Sequence, residues 1–147
     1  MDEEIKNALA VLQKGGTILY PTDTVWGIGV VADDPEAVKK FYEIKRREEG
    51  KPSQILVANM EQAEELGEFN IKVRNLAENY WPGALTVIMK SRPGKISPLL
   101  SGGSDTIAVR MPDHEVALSL ISGCGVPLVG TSANFAGNST PFTPDQI

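Results

Sequence analysis

Short apolar segments of strand length alternate along this chain with amphipathic segments of helix length. Ile5, Leu9 and Leu12 have helical spacing within residues 2–14, and the apolar segment 17–20 follows after two glycines. The same alternation continues to residue 130. Further strands are predicted at 25–31, 54–58, 85–89, 106–111 and 128–130, and further helices at 35–44, from 60, at 71–80 and at 115–121. This alternation is typical of a layered α/β domain.

Helix boundaries are marked by residues that cap helix ends. Asp34 precedes a proline at the first helical position, and Asn59 with Gln62 forms a variant of the capping box. Asn70 is predicted to cap the helix 71–80. Val73, Leu76 and Ala77 are expected to face inward from that helix, Phe41 and Ile44 to continue one face of the helix 35–44, and Gly123 and Gly125 to end the helix 115–121.

Composition excludes several classes of protein. The chain has 147 residues, which is the size of one domain, and its single cysteine and single histidine exclude internal disulfides and cysteine- or histidine-rich metal sites. The net charge of −5 argues against a generally basic nucleic-acid surface. No apolar run approaches the length of a membrane span, and the acidic N-terminus is unlike a signal peptide. A cytoplasmic domain without a membrane partner is predicted.

Common catalytic motifs are also missing from the sequence. There is no Walker-type phosphate loop, and Ser132 is not in a G-x-S-x-G elbow. A hydrolase triad is disfavoured because there is only one histidine. We interpret His114 as a solvated residue at a helix start, and Cys124, between two glycines, as an unreactive thiol.

Four polar segments remain as candidate sites. At 20–29, two threonines and Asp23 follow an apolar strand and precede glycines that would allow a ligand to approach the backbone, although a hydrophilic turn would use the same residues. At 130–134, hydroxyl and amide side chains follow the end of a strand, where α/β sheets often bind ligands.

The other two segments carry cations. Lys45, Arg47 and Lys51 follow a helix, where the helix dipole alone would favour them, and they could also bind a polyphosphate. Arg110 ends an apolar strand that begins at Thr106. A cation in such a strand needs a partner, either an internal acid or the carboxylate of a ligand.

Taken in order, these segments carry six motifs: P-T-D-T-V-x-G-I-G at 21–29, K-x-R at 45–47, K-P at 51–52, W-P-G-x-L-T at 81–86, T-I-A-V-R-x-P at 106–112 and S-A-N at 132–134. In this order and spacing they resemble the YrdC/Sua5 family of threonylcarbamoyl-AMP synthases. The resemblance runs from about residue 5 to residue 147. It implies a single twisted mixed-sheet α/β domain of the YrdC type, with helices packed around the sheet and a large open ligand cavity.

The resemblance also implies an activity. Family members are nucleotidyltransferases that form L-threonylcarbamoyladenylate and pyrophosphate from L-threonine, bicarbonate or CO2, and ATP. Mg²⁺ would be carried by the ATP phosphates, with no metal site made of protein alone. A downstream transferase then moves the threonylcarbamoyl group to adenosine 37 of tRNA, so tRNA is an indirect partner.

The resemblance assigns roles to ten residues. Those at threonine-binding positions are Thr24, Arg110 and Gly130; those at catalytic positions are Lys45, Arg47, Ser132 and Asn134; those at ATP-binding positions are Arg47, Lys51, Thr106, Ser132, Asn134 and Thr140. Leu56 stands where many members carry a histidine near the threonine.

The same residues are compatible with two other functions. The domain could instead bind RNA, or it could act on another carbamoyl-type substrate, as in the related domain of hydrogenase-maturation carbamoyltransferases.

Thr143, Pro144 and Asp145 predict the start of a helix, and the family domain usually continues several tens of residues beyond such a point. Residues 1–147 are therefore expected to be a YrdC-like domain without its C-terminal portion.

Overall fold

The computed structural model describes residues 2–135, 137–140 and 143–147. Within these residues, helices and strands alternate as the apolar pattern predicts. The helices are α1 Glu3–Gln13, α2 Pro35–Lys45, α3 Met60–Leu66, α4 Ile71–Tyr80 and α5 Glu115–Cys124. The strands are β1 Ile18–Tyr20, β2 Gly27–Gly29, β3 Ile55–Leu56, β4 Val87–Lys90, β5 Thr106–Arg110, β6 Leu128–Val129 and β7 Thr131–Ser132. Short 3₁₀ helices cover Pro98–Ser101 and Pro144–Gln146.

The strands form two small sheets. One has the order β1-β2-β7 and is antiparallel, and the other is a mixed sheet with the order β4-β5-β3-β6. In the mixed sheet, β3 and β5 are parallel, while β4 and β6 are antiparallel to their neighbours. The sequence therefore predicted the α/β class and most strands, but not the strand β7.

Backbone hydrogen bonds join the two sheets next to β2 and β6. The Val129 N–H donates to the Val30 carbonyl at 2.8 Å, and Val31 forms a bridge with Leu128. The core lies around this junction, and Tyr20, Phe41 and Leu128 are among its fully buried side chains. The last residues of β1, β3, β5 and β7 lie close together near this junction.

Side-chain caps begin the helices where the sequence predicts them. Asp34 Oδ1 accepts from the backbone N–H groups of Glu36 and Ala37, and Asn70 Oδ1 accepts from Val73 at 2.9 Å. In the capping-box variant, Gln62 reaches back to the N–H of Ala58 rather than to that of Asn59. Among the described residues, no helix is both long enough and apolar enough to cross a membrane.

Three predicted details of the helices are wrong. Ile44 and Leu76 are 48% and 41% exposed, because the buried faces of α2 and α4 are narrower than the apolar pattern suggested. Gly123 does not end α5. It lies inside the helix, where a β-carbon would come within 2.7 Å of Leu9 on α1, so it allows the two helices to approach closely. Gly125 ends α5 in the left-handed conformation, at φ +70°.

Candidate functional site

A cavity of about 60 Å³ opens where the two sheets meet. Its wall is formed by Tyr20, Thr22, Thr24, Val25, Gly27, Gln54, Leu56, Arg110, Gly130, Thr131 and Ser132. The fold thus brings together Thr24, Arg110, Gly130 and Ser132, which the sequence had predicted as site residues from separate segments. The large open cavity implied by the resemblance stays a prediction.

Arg110 is the charged group in the cavity wall. Arg110 is 5% exposed, and its Nη2 forms an ion pair with Asp23 from the loop between β1 and β2. Nη1 donates to Thr24 Oγ1 at 3.3 Å, whereas Nε is buried without a hydrogen-bond partner. The internal acid considered as one alternative from the sequence is therefore present, and the guanidinium still has a donor unused.

Hydrogen bonds of Thr22 shape the loop that carries Asp23 and Thr24. Thr22 Oγ1 accepts from the N–H groups of Thr24 and Val25, both at 3.2 Å, and donates to the Val25 carbonyl at 2.7 Å. A threonine that bonds its own turn in this way holds the loop without help from distant residues. The loop therefore contains the hydrophilic turn considered as an alternative, and it also presents Thr24 to the cavity.

Gly130 allows the side chains of Leu56 and Tyr20 to pack directly against the backbone of the cavity wall. A β-carbon there would lie 2.5 Å from Leu56 Cγ and 2.9 Å from the Tyr20 hydroxyl. The Gly130 N–H donates to the Gln54 carbonyl at 2.9 Å, and Gln54 also receives a short hydrogen bond from the Thr86 hydroxyl. Burial raises the pKa of the Tyr20 hydroxyl, so Tyr20 contributes a neutral wall.

Ser132 links the cavity to a group of cations. Its backbone carbonyl accepts from Lys45 Nζ at 2.8 Å, and its hydroxyl donates to Asn134 Oδ1 at 2.6 Å. The Asn134 N–H in turn donates to the Ser132 carbonyl at 2.9 Å. Lys45, Ser132 and Asn134, predicted from segments nearly ninety residues apart, therefore form one hydrogen-bonded cluster.

Lys45 and Arg47 are two cations in a poorly hydrated setting. Lys45 is 3% exposed, and burial, assisted by the charge of Arg47, lowers its pKa to about 8. Arg47 Nη2 donates to the Pro52 carbonyl at 2.5 Å, and its Nε is buried without a partner. Because the charge of Arg47 acts against that of Lys45, an anion that neutralises both would relieve this repulsion, so the pair favours binding of a polyanion.

The segment that carries Lys51 is held by Tyr42 of α2. The Tyr42 hydroxyl lies 2.7 Å from the Lys51 carbonyl and 3.0 Å from the Leu99 carbonyl, and it accepts from Ser53 Oγ at 3.0 Å. The Lys51 side chain itself is exposed and lies 3.7 Å from Glu48. Lys51 therefore has an anchored backbone and a solvent-exposed charge.

We expect Tyr42→Phe to lower the free energy of unfolding by about 1–3 kcal/mol, because it removes the hydroxyl that lies against the Lys51 carbonyl and accepts from the buried Ser53 hydroxyl. Chemical denaturation measures this change. Tyr80→Phe removes a hydroxyl from an exposed tyrosine and is the matched control. A loss below about 0.5 kcal/mol, the range usual for surface substitutions, would contradict the anchoring role.

The remaining two predicted residues lie farther from the cavity. Thr106 and Arg110 project from the same face of β5, and four steps along the strand separate them by about 13 Å. The Thr106 hydroxyl lies 3.2 Å from that of Ser104. Thr140 is exposed in the segment 137–140 and does not line the cavity. The nucleotide roles of Thr106, Lys51 and Thr140 stay predictions.

Tyr20 and Gln54 are cavity residues that sequence reasoning did not select. Tyr20 ends an apolar strand and opens the candidate segment 20–29, from which only the threonines, Asp23 and the glycines were selected. Gln54 is a polar residue that opens an otherwise apolar segment, and this was the one signal that could have drawn attention to it. Its Nε2 lies 3.5 Å from the Gly130 carbonyl, so it supports the same wall.

The lone histidine and cysteine have structural surroundings outside the cavity. His114 caps α5, where its Nδ1 accepts from the Val116 N–H at 3.2 Å. Cys124 is half-buried, and burial together with the charge of Asp33 raises the pKa of its thiol. In the part of the chain that the structure describes, no cluster of three or more histidine, cysteine or carboxylate side chains could hold a metal ion.

Fold and site together define a class of protein. It is a twisted mixed-sheet α/β domain with a buried arginine in a small cavity and, beside the cavity, a cation cluster formed by Lys45 and Arg47. The chain matches the family model of the Sua5, YciO and YrdC proteins, described as telomere recombination, over residues 10–147. It belongs to that family.

Individual relatives support this membership. The chain is 39% identical over 147 residues to the threonylcarbamoyl-AMP synthase of Bacillus subtilis, covering 99% of this chain and 42% of that protein. It is 34% identical over 148 residues to the synthase of Vibrio campbellii, covering 99% and 80% respectively. The solved structure of Pyrococcus abyssi Sua5 complexed with L-threonine superposes with a TM-score of 0.90 at 38% identity, covering 94% of this chain and 41% of that one.

The match confirms the predicted fold class. The chain spans about two fifths of the length of the Bacillus subtilis and Pyrococcus abyssi proteins.

Proposed function

We propose that this chain forms L-threonylcarbamoyladenylate and pyrophosphate from L-threonine, bicarbonate or CO2, and ATP, for the modification of adenosine 37 in tRNA. The observation that carries the proposal is the joining of two half-sites through Ser132. One half is the cavity with Arg110, Thr24 and Gly130, and the other is the cation cluster with Lys45. The names of the relatives and the bound L-threonine of the Pyrococcus abyssi structure support the same reaction.

The reaction has two chemical steps. The amine of threonine adds to CO2 and loses a proton, which leaves a carbamate. A carbamate oxygen then attacks the α-phosphorus of ATP; the bond from that phosphorus to the bridging oxygen breaks, and pyrophosphate leaves with the electron pair. Both reactants of the second step are anions, so the step needs charge neutralisation and alignment more than a covalent nucleophile.

The residues of the two half-sites suit these needs. Arg110, supported by Thr24, would bind the threonine carboxylate, and Gly130 would let the amino acid lie against the backbone. Lys45 and Arg47 would neutralise the phosphates, while Ser132 and Asn134 would orient them. Mg²⁺ would arrive as part of the nucleotide substrate, MgATP, on the phosphate oxygens. The adenylate would pass to a transferase that acts on tRNA.

The pKa of Lys45 predicts a pH dependence of ATP binding. Below a pH of about 8 the ammonium is charged and attracts phosphate, and above it the group loses its proton in the free protein. The affinity for ATP should therefore fall as the pH rises, by about fivefold between pH 8 and 9 if only the charged form binds. Calorimetric titrations at several pH values measure this fall.

The matched variant is Lys45→Arg, which stays charged over this range. Its ATP affinity should be independent of pH between 8 and 9, after allowance for the stability of the variant. The same fall in Lys45→Arg would show that another group is responsible.

Pyrophosphate release with ATP and bicarbonate, with each amino acid supplied in turn, tests the function itself. Release that depends on L-threonine and on bicarbonate is the expected result. Release with a different carbamoyl-type substrate in place of threonine would favour the second activity considered from the sequence. Salt-sensitive binding of tRNA without any pyrophosphate release would favour an RNA-binding domain.

A further inference from the structure

Asp23 has a largely buried carboxylate that contacts the cavity arginine without lining the cavity. Its side chain is 17% exposed and forms an ion pair with Arg110 Nη2. The wall of the cavity includes Thr22, Thr24 and Arg110 but not Asp23. A ligand in the cavity would therefore contact the guanidinium and the Thr24 side chain, but not the carboxylate of Asp23.

The remaining donors of Arg110 define what it can still bind. A guanidinium has five N–H donors in a rigid plane. Asp23 engages Nη2 and Thr24 engages Nη1, while Nε is buried without a partner. Buried donors in native structures are nearly always paired, so an unpaired donor on an arginine that lines a cavity points to an acceptor supplied by a ligand.

Asp23 and Thr24 contact the two terminal nitrogens of the guanidinium and together favour one orientation. The turn closed by Thr22 keeps both residues in place, because its hydrogen bonds to Thr24 and Val25 are local. A planar fork held in one orientation loses less conformational entropy when it meets a carboxylate. Asp23 also compensates the charge of Arg110 before a ligand binds.

We propose that Asp23 is a positioning residue that fixes Arg110 so that the guanidinium meets the carboxylate of the amino-acid substrate. This inference rests on the proposed function, because it takes that ligand to be an amino acid. Asp23 itself does not touch the substrate and acts only through the guanidinium.

The test compares Asp23→Asn with the wild type by calorimetric titration of two probes. Asp23→Asn keeps the shape and one acceptor oxygen but removes the charge, so the dissociation constant of L-threonine should rise about tenfold, the effect of losing one charge-assisted hydrogen bond. The dissociation constant of ATP should change less than twofold. L-threoninamide, which lacks the carboxylate, should bind equally to both proteins.

The matched control is Asp33→Asn, which changes the net charge equally at an exposed position outside the cavity. It should leave the affinity for L-threonine unchanged. A second variant, Asp23→Glu, keeps the charge and protects the test against loss of folding. Its affinity for L-threonine should lie between those of the wild type and Asp23→Asn.

Four outcomes would overturn the inference, and they are distinguishable. If Asp23→Asn binds L-threonine as well as the wild type does, Asp23 has no positioning role; tighter binding would mean that it competes with the substrate carboxylate. If L-threoninamide binding weakens as much as L-threonine binding, the effect is structural. If the wild type itself binds no L-threonine, the proposed function fails and the inference fails with it.

Discussion

Replacing Arg47 with alanine is expected to lower kcat/KM for ATP by a factor between about 30 and several thousand, which corresponds to about 2–5 kcal/mol. Arg47 donates one N–H to Pro52 and keeps a buried Nε without a partner beside Lys45. A phosphate bound at this point would be poorly hydrated, so the loss of one cation leaves its charge partly uncompensated. Steady-state kinetics of pyrophosphate release measure the effect.

Arg74→Ala is the matched control for Arg47→Ala. Arg74 lies on α4, where it contacts Glu64 and Glu78 with all three side chains at least 40% exposed. Surface pairs of this kind contribute about 0–1 kcal/mol to stability, so the control should fold and keep the kinetics of the wild type. Unchanged kinetics in Arg47→Ala would support the simpler interpretation, in which Arg47 is a cation at the end of a helix.

Replacing Arg110 with lysine should raise the KM for threonine about 10- to 100-fold, because lysine keeps the charge but loses the planar fork. The KM for ATP should rise much less, since Arg110 lies in the cavity and not in the cation cluster. Initial rates with each substrate varied in turn give both constants.

Equal effects of Arg110→Lys on both substrates would instead assign Arg110 to a structural ion pair with Asp23. Thermal unfolding of the variant separates the two cases. Removing the cation altogether, as in Arg110→Ala, would leave the largely buried Asp23 carboxylate without its partner and should cost about 3–5 kcal/mol of stability. The lysine variant avoids most of that cost and is the sharper test.

Local signals in the sequence were sufficient for the helices and for the fold class. Asp34 and Asn70 cap α2 and α4 as predicted, because an N-cap needs only a side chain and the N–H groups two or three residues later. The six ordered motifs were sufficient for the family. They also selected Thr24, Arg110, Gly130 and Ser132, which the fold brings into one cavity.

Packing between distant segments decided the rest. Gly123 was predicted to end α5, but it lies inside the helix and allows close packing of Leu9 from α1. Ile44 was predicted to be buried, but it is exposed, because burial depends on which elements pack against α2. The sequence allowed Arg110 to pair with an internal acid or to bind a ligand. The structure shows the pair with Asp23, 87 residues away, and leaves Nε buried without a partner. Capping and periodicity act over a few residues and can be read locally, whereas burial and ion pairing depend on neighbours that only the tertiary fold supplies.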